Sequence, residues 1–337
     1  MNVIARLRDG KMVGKMGLDQ QIKELYEAKP AYNLIILVFV VIWGVAGYTV
    51  LQLSNFWLKL PFYFIIGATL NSLSILMHEA IHVKLFKNLK LNRWVGFICA
   101  APSFTVASAY KAVHMPHHLY VRGANDPDEF ENITRHPILI RLVLLVWFFI
   151  GSYFYLFHMP ITGLKLVEKQ ERQRIIEEYL VLFLLTILVF FLVPLKFLIQ
   201  IWLIPILFSA QIANIRGLSE HAFTSGDKPM TSSRTITSNW VVSFFMCNQN
   251  YHLAHHIYTG VPWYNLKNLH HLLADKFINA GSSIYSSYFL YLWDVFKVLL
   301  KRVHPPTHKP VTGYYHHWLP ALSGIIEISS GKTSQRK

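Results

Sequence analysis

Charge is scarce in this chain. Only 15% of its 337 residues are Asp, Glu, Lys or Arg and 53% are hydrophobic. Soluble domains carry about a quarter charged residues, so this balance belongs to a membrane protein. Acids are scarcer than bases, 18 against 32, for a formal net charge of +14. The cations flank apolar runs, the pattern of anchoring on an anionic cytoplasmic leaflet, which argues against a nucleic-acid partner. Cysteine is nearly missing. Cys99 and Cys247 both sit in apolar stretches and read as small buried hydrophobes, excluding a disulfide framework and any thiolate-held zinc or iron–sulfur site. The first 30 residues show no apolar core followed by a small-residue cleavage site, so no signal peptide is expected.

Histidine, by contrast, is abundant and patterned. Two stretches, His114-Met-Pro-His117-His118 and His252-Leu-Ala-His255-His256, share one spacing, and His78-Glu-Ala-Ile-His82 precedes them. Positions i, i+3 and i+4 fall on one helix face, where their ring nitrogens can converge. His-X-X-X-His is expected about once by chance at this histidine content, whereas two copies of the triple arise roughly once in a thousand such sequences. The triples carry the signal.

Imidazole suits zinc, copper, iron or nickel without singling one out. The boxes supply eight histidines, too many for one four-coordinate ion and about right for two metals. Two redox metals side by side, reached from the membrane, point to dioxygen activation against an unactivated C–H bond of a lipid. Neutral ligands leave such metals highly charged, so acids are expected behind them. The candidates are Glu79, Asp126, Asp128 and Glu220, with Glu79 and Asp128 read first as solvated loop acids.

Each box lies just beyond an apolar run. Residues 33–53 carry no charge and can cross about 30 Å of hydrocarbon. A second run, about Leu60–Met77, ends at the first box, and further runs cover about Tyr179–Val193 and Phe197–Ile215, separated by Pro194 and Lys196. Trp94–Tyr110, interrupted by Pro102, fits an interfacial or re-entrant segment. Residues 138–157 are long enough to span, but a fifth crossing there would put the third box opposite the other two. The chain is therefore expected to be an all-α, multi-pass integral membrane protein. It would have about four transmembrane helices, interfacial or re-entrant helices, and a cytoplasmic helical cap that carries the boxes. The outside turns then hold only Lys59 and Lys196, in keeping with the positive-inside rule. Residues 1–32, with Arg6, Arg8, Lys11, Lys15 and Lys23, form a basic cytoplasmic lead-in, 33–275 the catalytic domain, and 276–337 a cytoplasmic helix and tail. Residues 224–238, rich in Ser and Thr, read as a surface loop.

The boxes with these spans resemble the membrane-bound fatty acid desaturase/hydroxylase superfamily. Asp126-Pro-Asp128 is similar to the acid that follows that family's second box, and Arg216-X-X-X-Glu220-His221 to its segment after the last span. The third box with its trailer through Pro262-Trp-Tyr and Leu269-His270 is similar as well. The resemblance covers roughly residues 35–275. It implies a non-haem di-iron centre held by His78, His82, His114, His117, His118, His221, His252, His255 and His256, with His221 added by the resemblance alone. It implies O2 as co-substrate, a tunnel for a lipid acyl chain, and electrons from a separate carrier such as ferredoxin or cytochrome b5. No His-Pro-Gly-Gly haem motif occurs, and two cysteines cannot hold a fused iron–sulfur domain. The basic stretch Lys84–Arg93 could dock an acidic donor, although positive-inside anchoring explains it as well. His136, His158, His304, His308, His316 and His317 read as surface or interfacial, while His270 resembles a family position without being required to bind metal and His271 has less claim still.

Three other functions compete with this reading. His78-Glu-Ala-Ile-His82 matches the His-Glu-X-X-His zinc protease signature with Glu79 as base, but the later spans contain no Asp for a third ligand and both triples would lack a role. A metal transporter would place its site near the bilayer midplane rather than at span ends. Within the superfamily, a fatty acid or carotenoid hydroxylase or ketolase is the alternative to a desaturase introducing a C=C bond.

Overall fold

The computed structural model describes residues 17–129, 136–225 and 228–300. Arg6, Arg8, Lys11 and Lys15, and the tail with His304, His308, His316 and His317, lie outside the described residues.

Almost every described element is helical. Helix α1 is Leu18–Leu25, and a 3-10 turn over Pro30–Leu34 leads into α2, Ile35–Gln52. Helix α3 is Phe56–Ile81, started by the Asn55 side chain, which accepts from the Trp57 backbone N–H. Helices α4 (Leu89–Ala100) and α5 (Ala107–Tyr120) follow, then α6 (Pro137–Leu166) and α7 (Lys169–Leu192). Pro194 cannot continue α7 and ends it. Helix α8 then runs from Leu195 to His221, with a π-type turn over Ile199–Leu203. Short helices complete the chain: α9 (Trp240–Phe245), α10 (His252–Ile257), α11 (Leu266–Leu272), α12 (Ala274–Asn279) and α13 (Tyr288–Leu300). Two strands, β1 (Arg234–Ile236) and β2 (Ser283–Tyr285), pair in parallel.

Among the described residues, five helices are long and apolar enough to cross a membrane: Pro30–Gln52, Phe56–Ile81, Ile138–Leu166, Lys169–Leu192 and Leu195–His221. Four correspond to the expected runs; the added one is α6. Large apolar side chains such as Val45, Phe149 and Phe191 face outward on these helices, Phe191 being 83% exposed. Such surfaces suit hydrocarbon and are unfavourable in water.

Helices α3 and α8 form the spine of the bundle and run in the same direction. They meet closely at Gly67, where an added Cβ would lie 2.6 Å from the Phe208 Cβ and 2.9 Å from the Pro205 carbonyl oxygen. Helix α2 returns along α3 and is tied to α8 by the Trp43 indole N–H, which donates to the Ile201 carbonyl at 2.7 Å. The turns 53–55 and 193–194 share one end, where Lys59 donates to Gln200 and Phe190 meets Trp202. The histidines gather at the other end.

Helix α6 packs differently from its neighbours. Its first turns, with Ile140 and Leu144, rest on Leu218 and Ala222 beside His221. Its last turns bring Gly163 against Ala109 and Ala112 of α5, the helix that carries the second box. Between α4 and α5 the chain turns at Pro102 and a left-handed Phe104 (φ 56°). Phe104 stacks on Trp202, whose indole N–H donates to the Pro102 carbonyl at 2.8 Å. An interfacial or re-entrant segment is expected here, and its turn packs on Trp202, about two turns into α8.

One expectation is corrected. Residues 231–236 are not surface loop: Ser232, Ser233, Arg234 and Thr235 are buried. The serine hydroxyls are satisfied, Ser232 donating to the Pro229 carbonyl and Ser233 to that of Glu220, which offsets the cost of burying them; the Thr235 hydroxyl has no hydrogen-bond partner among the described residues. Arg234 donates to the carbonyls of Ser219 and Ala222 at 2.8 and 2.9 Å, capping the last turn of α8.

Candidate metal centre

Four elements bring nine histidines to one place. The end of α3 carries His78, with His82 as its cap; α5 carries His114, His117 and His118; α8 ends on His221; α10 carries His252, His255 and His256. Helix α10 is aimed by the residues before it. Cys247 and Asn248 adopt left-handed backbone (φ 43° and 55°), and the Asn250 side chain donates to the Ile236 carbonyl at 2.7 Å. Helix α1 packs Ile22 and Leu25 beneath this segment, against Leu253 and Ala254.

The ring nitrogens fall into two groups. In the first, ligand atoms of His78, His82, His114, His118 and His255 all lie within 4.8 Å of one another. In the second, those of His117, His221 and His256 do so. His252 joins the second group, its Nε2 being 3.1 Å from that of His221 and 3.0 Å from that of His256. The groups adjoin, with the rings of His118 and His256 4.3 Å apart. Two nitrogens each about 2.1 Å from one ion at a near-right angle stand about 3 Å apart. The Nε2 separations match: 2.8 Å for His114 and His118, and 3.2 Å for His118 and His255 and for His117 and His221. The Nε2 of His82 is buried with no hydrogen-bond partner among the described residues. These donors fit two metal ions.

Protonation points the same way. Burial, then mutual repulsion with neighbouring cations, holds the pKa values of His82, His114, His118, His252, His255 and His256 well below the usual imidazole range. Their lone pairs are therefore free to ligate. His117 is the exception: burial works to lower its pKa, but the Asp126 carboxylate, helped by Asp128 and Glu129, outweighs that and pushes it up to about 9. That corner of the site favours a positive charge.

The acids stand behind the rings. Both Asp126 oxygens lie 2.9 Å from His117 Nδ1, and the carboxylate also accepts from the Arg122 and Asp128 backbone N–H groups at 3.0 and 2.9 Å. Glu220 Oε1 is 3.6 Å from His252 Nδ1 and from Arg216 Nε, longer than a hydrogen bond. Glu79 is only 1% exposed, which corrects its reading as a solvated acid. It accepts from the Gln249 carboxamide at 2.8 Å and the Trp263 backbone N–H at 2.9 Å, and it stands 3.4 Å from His78 Nδ1. Asp128 is corrected likewise, since it accepts from the Tyr155 hydroxyl at 3.0 Å, and burial pushes its pKa up to about 6. Replacing Asp126 with Asn is expected to weaken metal retention by about 10- to 100-fold. Metal release against a graded chelator, followed on purified protein, checks this; unchanged release would remove Asp126 from the role.

Gln249, the Trp263 amide and the Ser232 carbonyl, 3.2 Å from His221 Nδ1, are the supports that sequence reasoning missed. They belong to no spacing pattern and act across the fold. His270 was read as peripheral. It is buried against Tyr251 and Phe277, apart from both groups, and burial lowers its pKa to about 4.

A cavity of about 230 Å³ opens beside the histidines. His78, His114, His117, His221 and His252 line one end, and α3, α6 and α8 form its walls.

The sequence matches the fatty acid desaturase family over residues 54–288, which includes every histidine of the two groups. The chain belongs to this family. Desaturases of several kinds are among its relatives. It is 22% identical over 315 residues to an sn-1 oleoyl-lipid 12-desaturase of Picosynechococcus, covering 85% of this chain and 88% of that one. It is 28% identical to a sphingolipid delta(4)-desaturase of Drosophila melanogaster, over 72% of this chain and 74% of the relative. A human sphingolipid delta(4)-desaturase/C4-monooxygenase is 25% identical over 81% of this chain and 83% of its own length. Membership of the desaturase family also disposes of the protease reading. His78 and His82 share their group with three further histidines, and Glu79 is held by Gln249 and Trp263.

Proposed function

We propose that this chain is a membrane di-iron lipid desaturase that introduces a C=C bond into an acyl chain with reduction of O2 to water. The observation that carries the reading is the convergence of nine histidine nitrogens in two adjoining groups at the end of a largely apolar cavity. His78, His82, His114, His118 and His255 would hold one iron, and His117, His221, His252 and His256 the other. Glu79, Asp126 and Glu220 fix the rings and balance charge from behind. When bound, two irons supply the activation of dioxygen that cleavage of an unactivated C–H bond requires.

The protein's own part is placement. The walls of α3, α6 and α8 exclude water and hold the chain with one pair of neighbouring methylenes at the histidine end. Two hydrogens leave the substrate, and two electrons with two protons arrive from outside, so that one dioxygen becomes two waters. The electrons come from a separate donor, a ferredoxin, cytochrome b5 or similar carrier. The active site faces the cytoplasm, and four helices cross, with α6 set in the membrane. The packing of both α6 ends against histidine-bearing segments supports that topology, as does the basic surface around Lys84, Lys87 and Lys90. Residues 33–275 form the catalytic domain between a basic lead-in, 1–32, and a C-terminal helix and tail, 276–337.

Hydroxylation is the second reading, favoured by the human relative whose name joins desaturase and monooxygenase. Expression in a host of known lipid content, with mass spectrometry of its lipids, separates them. Loss of two hydrogens is expected, and gain of one oxygen atom would establish the hydroxylase instead. Metal analysis should return two irons per chain; a single zinc would sink the di-iron assignment.

A further inference from the structure

The cavity wall carries one polar group that the desaturase chemistry leaves unused. Asn71 lies on α3, 2% exposed, and lines the cavity with Ser74, Ser103 and Ser209. Its carboxamide N–H points to the Met246 sulfur at 3.8 Å, while its carbonyl oxygen has no hydrogen-bond partner among the described residues. Asp128, Glu220 and Gln249, which stand behind the histidines, also keep a buried oxygen without a hydrogen-bond partner among the described residues, but several polar groups of the wall near Asn71 are satisfied by the protein. Ser74 donates to the Leu70 carbonyl at 3.2 Å and meets the Ser103 hydroxyl at 3.0 Å. Ser152 donates to Asn214 at 2.6 Å, and Asn214 in turn donates to the Phe148 carbonyl at 3.2 Å. Burying a carboxamide in a helix at membrane depth without a partner for its oxygen is unfavourable. A wall meant for hydrocarbon alone would carry Leu or Ala at this position.

Position 71 precedes His78 by seven residues, two turns of helix, so both side chains leave the same face about 10 Å apart along the axis. A molecule that lies along this face from the histidines to Asn71 passes several methylene groups between them. We propose that Asn71 accepts a hydrogen bond from a hydroxyl or amide N–H of the lipid, and so selects substrates that carry such a donor several carbons from the position attacked. The Met246 contact engages the carboxamide nitrogen and leaves its oxygen without a partner among the described residues. This inference rests on the desaturase reading of the same site and adds the class of lipid that the site prefers.

The test uses the full-length protein in membranes with its electron supply. It is given two lipids of matched chain length, one with a hydroxyl or amide donor at that distance and one with methylenes only. Products are quantified by mass spectrometry as a ratio of kcat/KM values. The wild type is expected to favour the donor-bearing lipid, and Asn71→Leu to lower that ratio about tenfold, the rate equivalent of one hydrogen bond. Asn71→Gln, which keeps a carboxamide, should restore part of it. Separate hydroxyl and amide arms tell the two donors apart. A wild-type ratio near one, or an Asn71→Leu ratio equal to that of the wild type, overturns the proposal, as does equal loss on both lipids. Those results leave turnover itself in evidence. If neither lipid loses hydrogen in the wild type, the desaturase reading falls instead, and this inference with it.

Discussion

Alanine at His117 or at His255 is expected to take lipid turnover to background, but the two variants should differ in metal content. His117 belongs to the group of four with His221, His252 and His256, and its Nδ1 stands 2.9 Å from both oxygens of Asp126. Removing it leaves three nitrogens for one ion and strands Asp126 as a buried acid with no imidazole, so metal content should fall to about half. His255 belongs to the group of five. Its loss leaves four nitrogens, enough to keep an ion, but changes the coordination at which chemistry would occur. Metal per chain by mass spectrometry, paired with product formation in the same preparations, checks both halves of this expectation. Retained turnover in either variant would remove that histidine from the ligand set. Equal metal loss in both would mean that the groups do not divide five and four.

Gly67→Val is expected to be the most damaging substitution remote from the histidines. At Gly67 the α3 backbone meets α8 so closely that even a Cβ would fall 2.6 Å from the Phe208 Cβ and 2.9 Å from both the Pro205 carbonyl oxygen and the Ser209 backbone nitrogen. Two of those three atoms are backbone and cannot swing away, so the helices must separate. Overpacking of this kind costs about 1–3 kcal/mol or more, and Val adds two methyl groups to the Cβ. Because α3 ends at the first box and α8 ends at His221, separation at Gly67 also spreads the two metal groups. A lowered Tm in detergent, together with reduced metal per chain, is the expected pair of results; a Tm and metal content equal to the wild type would show that the bundle yields at no cost.

The two histidine triples were legible because a helix repeats locally. Three residues at i, i+3 and i+4 share a face whatever surrounds them, so His114, His117 and His118, and His252, His255 and His256, declare themselves without a fold. His221 did not, since it stands alone at a helix end and was found only through resemblance. Glu79 shows the opposite limit. A charged residue beside an exit from the membrane reads as solvated, yet Gln249 and Trp263, more than 160 residues away in the chain, bury it and supply its hydrogen bonds. The Ser/Thr-rich stretch around Ser232 failed in the same manner. Its composition is that of a loop, but pairing with Ser283–Tyr285 and the carbonyls near the end of α8 turns it inward.

The sequence by itself determined the solvent, the helices and the chemistry. Scarce charge and long apolar runs require a membrane, Pro194 separates two long helices, and repeated imidazoles without cysteine call for nitrogen-ligated metals, because each of these depends on the residues and their immediate neighbours. Only the tertiary structure decided how the histidines divide into groups of five and four, which acids stand behind which rings, and that Asn71 lines a cavity with its oxygen unpaired among the described residues. Those depend on distances between residues far apart in the chain, set by how closely α3 and α8 pack and how α5 and α10 are turned toward them.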